Sequence, residues 1–141
     1  MKKIILGTAL LFCFGQFVQA QEKAEAKTEH KQKSGIADWK EIMVFHGVMS
    51  ETFHPSEEGN LEPIKNRIGE MVEKAKALKT SEIPQDIDTP ELRKEIKNLI
   101  KGSKKLEKLI AKNGSDESII KSLSELHDVF HNIVGMCVDD H

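Results

Sequence analysis

Residues 119–137, IIKSLSELHDVFHNIVGMC, decide the fold of this chain. Their apolar positions follow alternating steps of four and three: Ile119, Leu123, Leu126, Phe130, Ile133 and Cys137. This spacing places the side chains on one face of an α-helix, because the helix turns about 100° per residue. A continuous face of this kind packs against other helices in a bundle. The segment therefore predicts a core-facing helix, with Ser115 or Asp116 as its N-cap.

Three segments upstream also have the apolar periodicity of helices. They span residues 36–53, 61–79 and 90–112. Helices of this length with short connections are typical of an antiparallel four-helix bundle. We therefore predict an all-α fold, an antiparallel up-and-down four-helix bundle over residues 36–141.

Local signals predict where these helices begin and end. The residue before a proline disfavours the α region, so His54-Pro55 is expected to end the first helix. Asn60 can cap the second helix through its side-chain oxygen. Thr89 followed by Pro90 is a strong helix start, and Asn113-Gly114 is a helix stop.

The first helix has two sets of apolar side chains. One face, which we predict to be the core face, carries Trp39, Ile42, Met43, His46, Met49, Ser50 and Phe53. Val44, Phe45 and Val48 then lie off that face. Apolar side chains on an outer face favour association with another copy, so a homodimer is a reasonable expectation.

The N-terminal twenty residues have the pattern of a secretory signal peptide. Lys2 and Lys3 precede an apolar run at 4–14, and Val18-Gln19-Ala20 predicts cleavage after Ala20. The apolar run is too short to anchor the chain in a membrane. Residues 21–35 are polar and charged, which predicts a flexible leader. We expect a periplasmic or secreted protein with no stable membrane anchor.

Charge and cysteine usage narrow the possible partners. The net charge is −2, and no basic stripe with interleaved aromatic residues is present, which argues against nucleic-acid binding. Cleavage after Ala20 would remove Cys13 and leave Cys137 as the single cysteine, so an intramolecular disulfide is not expected. Its thiol is then buried, paired with another molecule or a ligand.

Three histidines form the leading candidate for a metal site. His46 lies on the predicted core face, where a buried imidazole needs partners for both ring nitrogens. His127 and His131 are four residues apart, so both rings lie on one side of the helix, as metal ligands require. The alternatives are a hydrogen-bonded core histidine and a solvated pair.

The expected topology brings these histidines to similar depths. His46 lies about 12 Å below the end of the bundle that it shares with the start of the last helix, at about 1.5 Å per residue. With the same rise per residue, His127 lies about 16 Å and His131 about 22 Å below that end. Neutral imidazoles facing the interior suit Cu, Zn, Ni or haem iron. We therefore expect a transition metal ion or haem as ligand.

Two further positions carry candidate ligands. His54 precedes Glu57, Glu58 and Glu62 and could begin a second, surface metal site, although a structural role is the alternative. Cys137 and His141 occupy the first and fifth positions of the haem-attachment pattern C-x-x-C-H. The second cysteine of that pattern is replaced here by an aspartate.

The segment Val134-Gly135-Met136-Cys137, running into this degenerate motif at the end of a four-helix chain, resembles cytochrome c prime and the soluble b-type cytochromes. The resemblance implies haem near Cys137 and His141, or haem held between Met43 and His131. This chain departs from the family at Asp140, which replaces a cysteine, and at His141, where the family continues.

Two functions from different classes follow. The first is non-enzymatic binding of a metal ion or haem, in a carrier, sensor or electron-transfer role. The alternative is a cofactor-free interaction or stress protein that binds another envelope protein. An enzyme is not expected, because a nucleophile needs a positioned base and the one candidate pair, Cys137 and His141, lies at the terminus.

Overall fold

The computed structural model describes residues 35–138, and these form an all-α fold without strands. A 3₁₀ turn at Ile36–Asp38 precedes the four helices, which are α1 Lys40–Glu57, α2 Glu62–Thr80, α3 Pro90–Ala111 and α4 Asp116–Val138. Consecutive helices contact each other, and α4 returns to contact α1. The all-α prediction is confirmed, and the arrangement is consistent with a four-helix bundle.

Some predicted features lie outside the described residues. These are the signal peptide, the leader up to residue 34, and His141. Within residues 35–138, no helix combines the length and the apolar character that crossing a membrane requires.

The predicted boundaries of α3 are confirmed by its capping contacts. The Thr89 hydroxyl accepts a hydrogen bond from the Leu92 backbone N–H at 3.1 Å. At the other end Asn113 adopts a left-handed conformation with φ 54°, and the Gly114 N–H donates to the Leu109 carbonyl at 2.9 Å. These bonds satisfy backbone groups that a helix end otherwise leaves unpaired.

The cap of α4 follows the prediction, whereas the N-cap of α2 is Leu61, one residue later than predicted, and its side chain makes no cap hydrogen bond. The Asn60 side chain accepts a hydrogen bond from the Glu62 N–H at 3.2 Å. The Ser115 hydroxyl accepts one from the Ser118 N–H at 3.3 Å, so Ser115 rather than the following aspartate caps α4.

The predicted end of α1 is wrong. The helix continues through Pro55 to Glu57 instead of ending before the proline. Proline removes one helical hydrogen bond, the one to the carbonyl four residues earlier, and this is tolerated near a helix end. That carbonyl belongs to the exposed residue Glu51, and the next turn is supported by the Ser56 hydroxyl, which donates to the Phe53 carbonyl at 2.6 Å.

The predicted core face of α1 is also partly wrong. Met43 is 48% exposed and His46 is exposed, whereas Phe45 and Val48 are 0% and 3% exposed. The buried side chains of α1 are Ile42, Phe45, Val48, Met49, Thr52 and Ser56. Phe45 turns inward because it packs on Phe130 of α4, with 5.5 Å between ring centroids. Phe45 and Val48 are therefore core residues and give no support to a homodimer.

In α4 the predicted face is confirmed. Its buried side chains are Ile119, Ser122, Leu123, Leu126, Phe130, Ile133 and Cys137. Since α1 and α4 are neighbours, side chains that flank these two buried faces meet in the groove between the helices. That groove contains the histidines.

Candidate metal-binding site

The candidate histidines lie at the surface of the α1/α4 groove. His46, His54 and His131 are exposed, and His127 is half-buried. The prediction that they face the interior is therefore wrong. The physical reason is that larger apolar side chains, Phe45 from α1 and Phe130 from α4, fill the interior positions next to them.

His127 and His131 are the two histidines that the structure brings together. Their Nε2 atoms are 3.2 Å apart, and their rings are almost perpendicular, with 4.4 Å between centroids and 79° between planes. A metal ion bound at about 2.05 Å from both nitrogens would make an N–metal–N angle of about 100°. That angle lies between the ideal values for square-planar and tetrahedral coordination. The 3.2 Å contact is a hydrogen bond between the two rings, which a shared metal ion would replace.

Two phenylalanines hold these imidazoles in place. Phe53 of α1 stacks on His127 with 3.8 Å between centroids and 6° between planes. Phe130 contacts His131 edge-on at 6.2 Å and 65°. A ring that is already held by packing loses less conformational freedom when it binds a ligand. The sequence-based reasoning missed this role, although Phe53 and Phe130 each directly precede a histidine.

His54 is adjacent to this pair and contacts one of the acidic residues that the sequence predicts beside it. Its Nδ1 lies 3.0 Å from Glu57 Oε2, and its ring contacts Phe53 edge-on at 5.8 Å. Phe53 therefore contacts both His54 and His127. Within residues 35–138, no three His, Cys, Asp or Glu side chains are arranged to hold one metal ion together. The groove thus offers two neighbouring imidazoles as candidate ligands, with His54 and Glu57 beside them.

The environment of His127 lowers its pKa below the usual value of 6.5. The largest cause is burial, which disfavours the charged imidazolium, and the next is repulsion by His131. Asp128 and Glu57 act in the opposite direction. His127 is consequently neutral near pH 7, which is the form that binds a metal ion.

His46 occupies a different position in the groove. Its ring stacks on Phe130 with 5.5 Å between centroids and 12° between planes. Phe130 thus contacts both His46 and His131. His46 is therefore a neighbour of the chelating pair through this phenylalanine.

The residues that the cytochrome resemblance implies do not fit a haem enclosed by the helices. Met43 on α1 and His131 on α4 are both exposed. Cys137 is a buried free thiol, and burial together with the negative charge of Asp86 raises its pKa to about 11. Without a metal ion that thiol stays protonated at neutral pH and is a poor nucleophile.

The site is thus a hydrogen-bonded histidine pair on α4 that packs against phenylalanines from both helices of the groove. Comparison with protein-family models, curated proteins and solved structures finds no match for this chain.

Proposed function

We propose that this protein is an exported, non-enzymatic helical bundle that binds a transition metal ion through Nε2 of His127 and His131. The observation that supports this most strongly is the 3.2 Å separation of the two nitrogens. Imidazole is a good ligand for Cu, Ni and Zn. A site with two protein ligands leaves coordination positions open to water or a second molecule, which suits reversible binding by a carrier or sensor.

The charge of the surrounding helices favours a cation. Helix α1 has three acidic residues and one lysine, and α4 has four acidic residues and one lysine. A surface with excess negative charge raises the local concentration of cations. Among divalent ions we expect Cu(II) to bind most tightly, because it stands at the top of the stability order for nitrogen ligands.

We also propose the antiparallel up-and-down arrangement of the helices. Two sets of contacts support it. Trp39, just before α1, donates a hydrogen bond to Ser81, just after α2, at 2.8 Å. Along the α1/α4 groove, Phe53 contacts His127, whereas the earlier residue His46 contacts the later residue Phe130. This order is that of two helices running in opposite directions.

The proposal is tested by titrating the protein, without an affinity tag, with Cu(II), Ni(II) and Zn(II) against a competing chelator. We expect one metal ion per chain, and at least a tenfold loss of affinity in His127→Ala and in His131→Ala, because either change destroys the chelate. His46→Ala is the matched control, since it removes a histidine of the same groove that is not a proposed ligand, and it should lose much less affinity than either variant. Equal binding by the wild type and by the double variant of His127 and His131 would overturn the proposal.

A further inference from the structure

Charge is segregated between the two halves of the bundle. Helix α2 has five basic and three acidic residues, and α3 has seven basic and three acidic residues. Helices α1 and α4 together have seven acidic residues and two lysines. The net charge of −2 for the whole chain conceals this asymmetry. The α2/α3 side therefore has the character of a basic surface.

Five lysines line a groove between α2 and α3. This lysine groove has a volume of about 300 Å³ and is lined by Lys76, Lys79, Lys97, Ile100, Lys101 and Lys104. A second groove, between α3 and α4, is lined by four lysines but also by Glu125. No acidic side chain lines the lysine groove, so its positive charge has no counter-charge within the groove. Ile100 and the aliphatic stems of the lysines give it an apolar floor with ammonium groups at the rim.

We propose that the lysine groove and the α2/α3 face around it bind the surface of an anionic phospholipid membrane. The lysines come from two helices, and Lys97 to Lys104 alone span about 10 Å along α3. Charge spread over such a length matches several phospholipid headgroups. A site for a single phosphate would instead need converging groups, usually arginines with their bidentate geometry, and the groove contains none.

The chemistry of the groove also favours a membrane over other anionic partners. Lysines near an anionic bilayer are attracted by its surface potential without needing a fixed geometry, and an apolar floor is compatible with the headgroup region. Single-stranded nucleic acids are usually held by aromatic side chains that stack on bases, and no aromatic residue lines this groove. The remaining competitor is the acidic α1/α4 side of a second copy.

The order of the helices gives this attachment a defined orientation. Helix α1 contacts α2 and α4, and α3 also contacts α2 and α4, so the α1/α4 groove lies on the side opposite the lysine groove. A molecule that rests on a membrane through α2 and α3 would turn His127 and His131 toward the solvent. This inference does not depend on metal binding, because it rests on different residues and a different side of the bundle.

The test is co-sedimentation of the protein with phosphatidylcholine vesicles, with and without about one third phosphatidylglycerol, at low and high salt. A fourfold variant, Lys76→Gln, Lys97→Gln, Lys101→Gln and Lys104→Gln, removes four of the five lysine charges of the groove. A matched variant, Lys40→Gln, Lys105→Gln, Lys112→Gln and Lys121→Gln, removes the same number of charges from α1 and from the groove between α3 and α4. All proteins carry the same N-terminus, so any contribution of the leader is common to them, and circular dichroism verifies the helical content of each.

We expect binding to the anionic vesicles alone, weakened by salt. The groove variant should lose at least tenfold in partitioning, because each lysine near an anionic bilayer contributes a factor of about five. The matched variant should lose much less of its partitioning to the anionic vesicles. Equal losses in the two variants, or equal binding to neutral vesicles, would overturn the proposal. So would self-association in analytical ultracentrifugation that disappears in the groove variant, because the occupant would then be a second copy.

Discussion

The imidazole of His127 lies flat against the Phe53 ring, with 3.8 Å between centroids and an interplanar angle of 6°. This contact joins α4 to α1 and fixes the orientation of the imidazole. It also belongs to the burial that lowers the pKa of His127. One packing contact therefore positions the His127 imidazole and helps to keep it in its neutral form.

The lowered pKa of His127 predicts a loss of stability in acid. The unfolded chain takes up the proton near the usual pKa of 6.5, whereas the folded protein resists it until a lower pH. Stability is therefore complete above about pH 7 and decreases as the pH falls below about 6.5. His127→Phe keeps a ring stacked on Phe53 but cannot be protonated, so the decrease should be smaller.

Urea unfolding at about pH 7.5 and about pH 5 measures this difference, with the fluorescence of Trp39, the one tryptophan of the chain, as the signal. For the wild type and for His127→Phe, the change in the free energy of unfolding between the two pH values is determined, and the two changes are compared. If His127→Phe lost as much stability in acid as the wild type, His127 would not be the source of the effect.

The hydrogen bond between Trp39 and Ser81 predicts a specific destabilisation. The Trp39 side chain is fully buried, and its indole N–H donates to the Ser81 hydroxyl at 2.8 Å. Ser81→Ala leaves that donor unpaired and should reduce the free energy of unfolding by about 1–3 kcal/mol. Ser81→Thr keeps a hydroxyl and should lose less. Denaturant unfolding of the three proteins measures the effect, and identical losses for the two variants would contradict this account.

The close approach of α3 to α4 predicts different outcomes at two glycines. A Cβ atom at Gly102 would lie 2.8 Å from Leu126 Cδ1 in the core, whereas Gly69 of α2 has open space around it. Gly102→Val should therefore destabilise the protein by about 1–3 kcal/mol through overpacking. Gly69→Val should be neutral or slightly stabilising, because valine favours the helix over glycine. Equal thermal unfolding midpoints for the two variants would show that the helices separate without cost.

The raised pKa of Cys137 predicts an unreactive thiol. Burial is the main cause of the increase to about 11, with a contribution from Asp86. The thiolate is the reactive form, so alkylation of the folded protein near pH 8 should be at least tenfold slower than in denaturant. Mass spectrometry of timed iodoacetamide reactions measures both rates. A native rate equal to the denatured rate would mean that the thiol is accessible in solution.

The success of the sequence-based predictions differed between α4 and α1. In α4 a single unbroken apolar stripe ending at Cys137 left one choice of core face, and that choice is confirmed. In α1 two apolar stripes compete, and the sequence alone does not decide between Met43 and Phe45 as the inward residue. The contact of Phe45 with Phe130 decides it, and that contact joins residues far apart in the chain.

The candidate site was predictable in part for the same reason. The approach of His127 and His131 follows from helical spacing alone, and their nitrogens are indeed 3.2 Å apart. Their exposure and their stacking partners depend on how α1 packs against α4, which no local pattern contains. The lysine groove was not predicted either, because Lys76 and Lys101 line one groove only when α2 packs against α3.

The central claim is that Nε2 of His127 and Nε2 of His131 bind one metal ion together. Long-range ¹H–¹⁵N NMR of the histidine side chains during addition of Zn²⁺ tests this most directly, because it observes each ring nitrogen separately. We predict that the Nε2 signals of His127 and His131 shift together and saturate at one equivalent, with smaller changes at His46 and His54. Unchanged Nε2 signals of His127 and His131 at that point, or a shift of only one of them, would contradict the account.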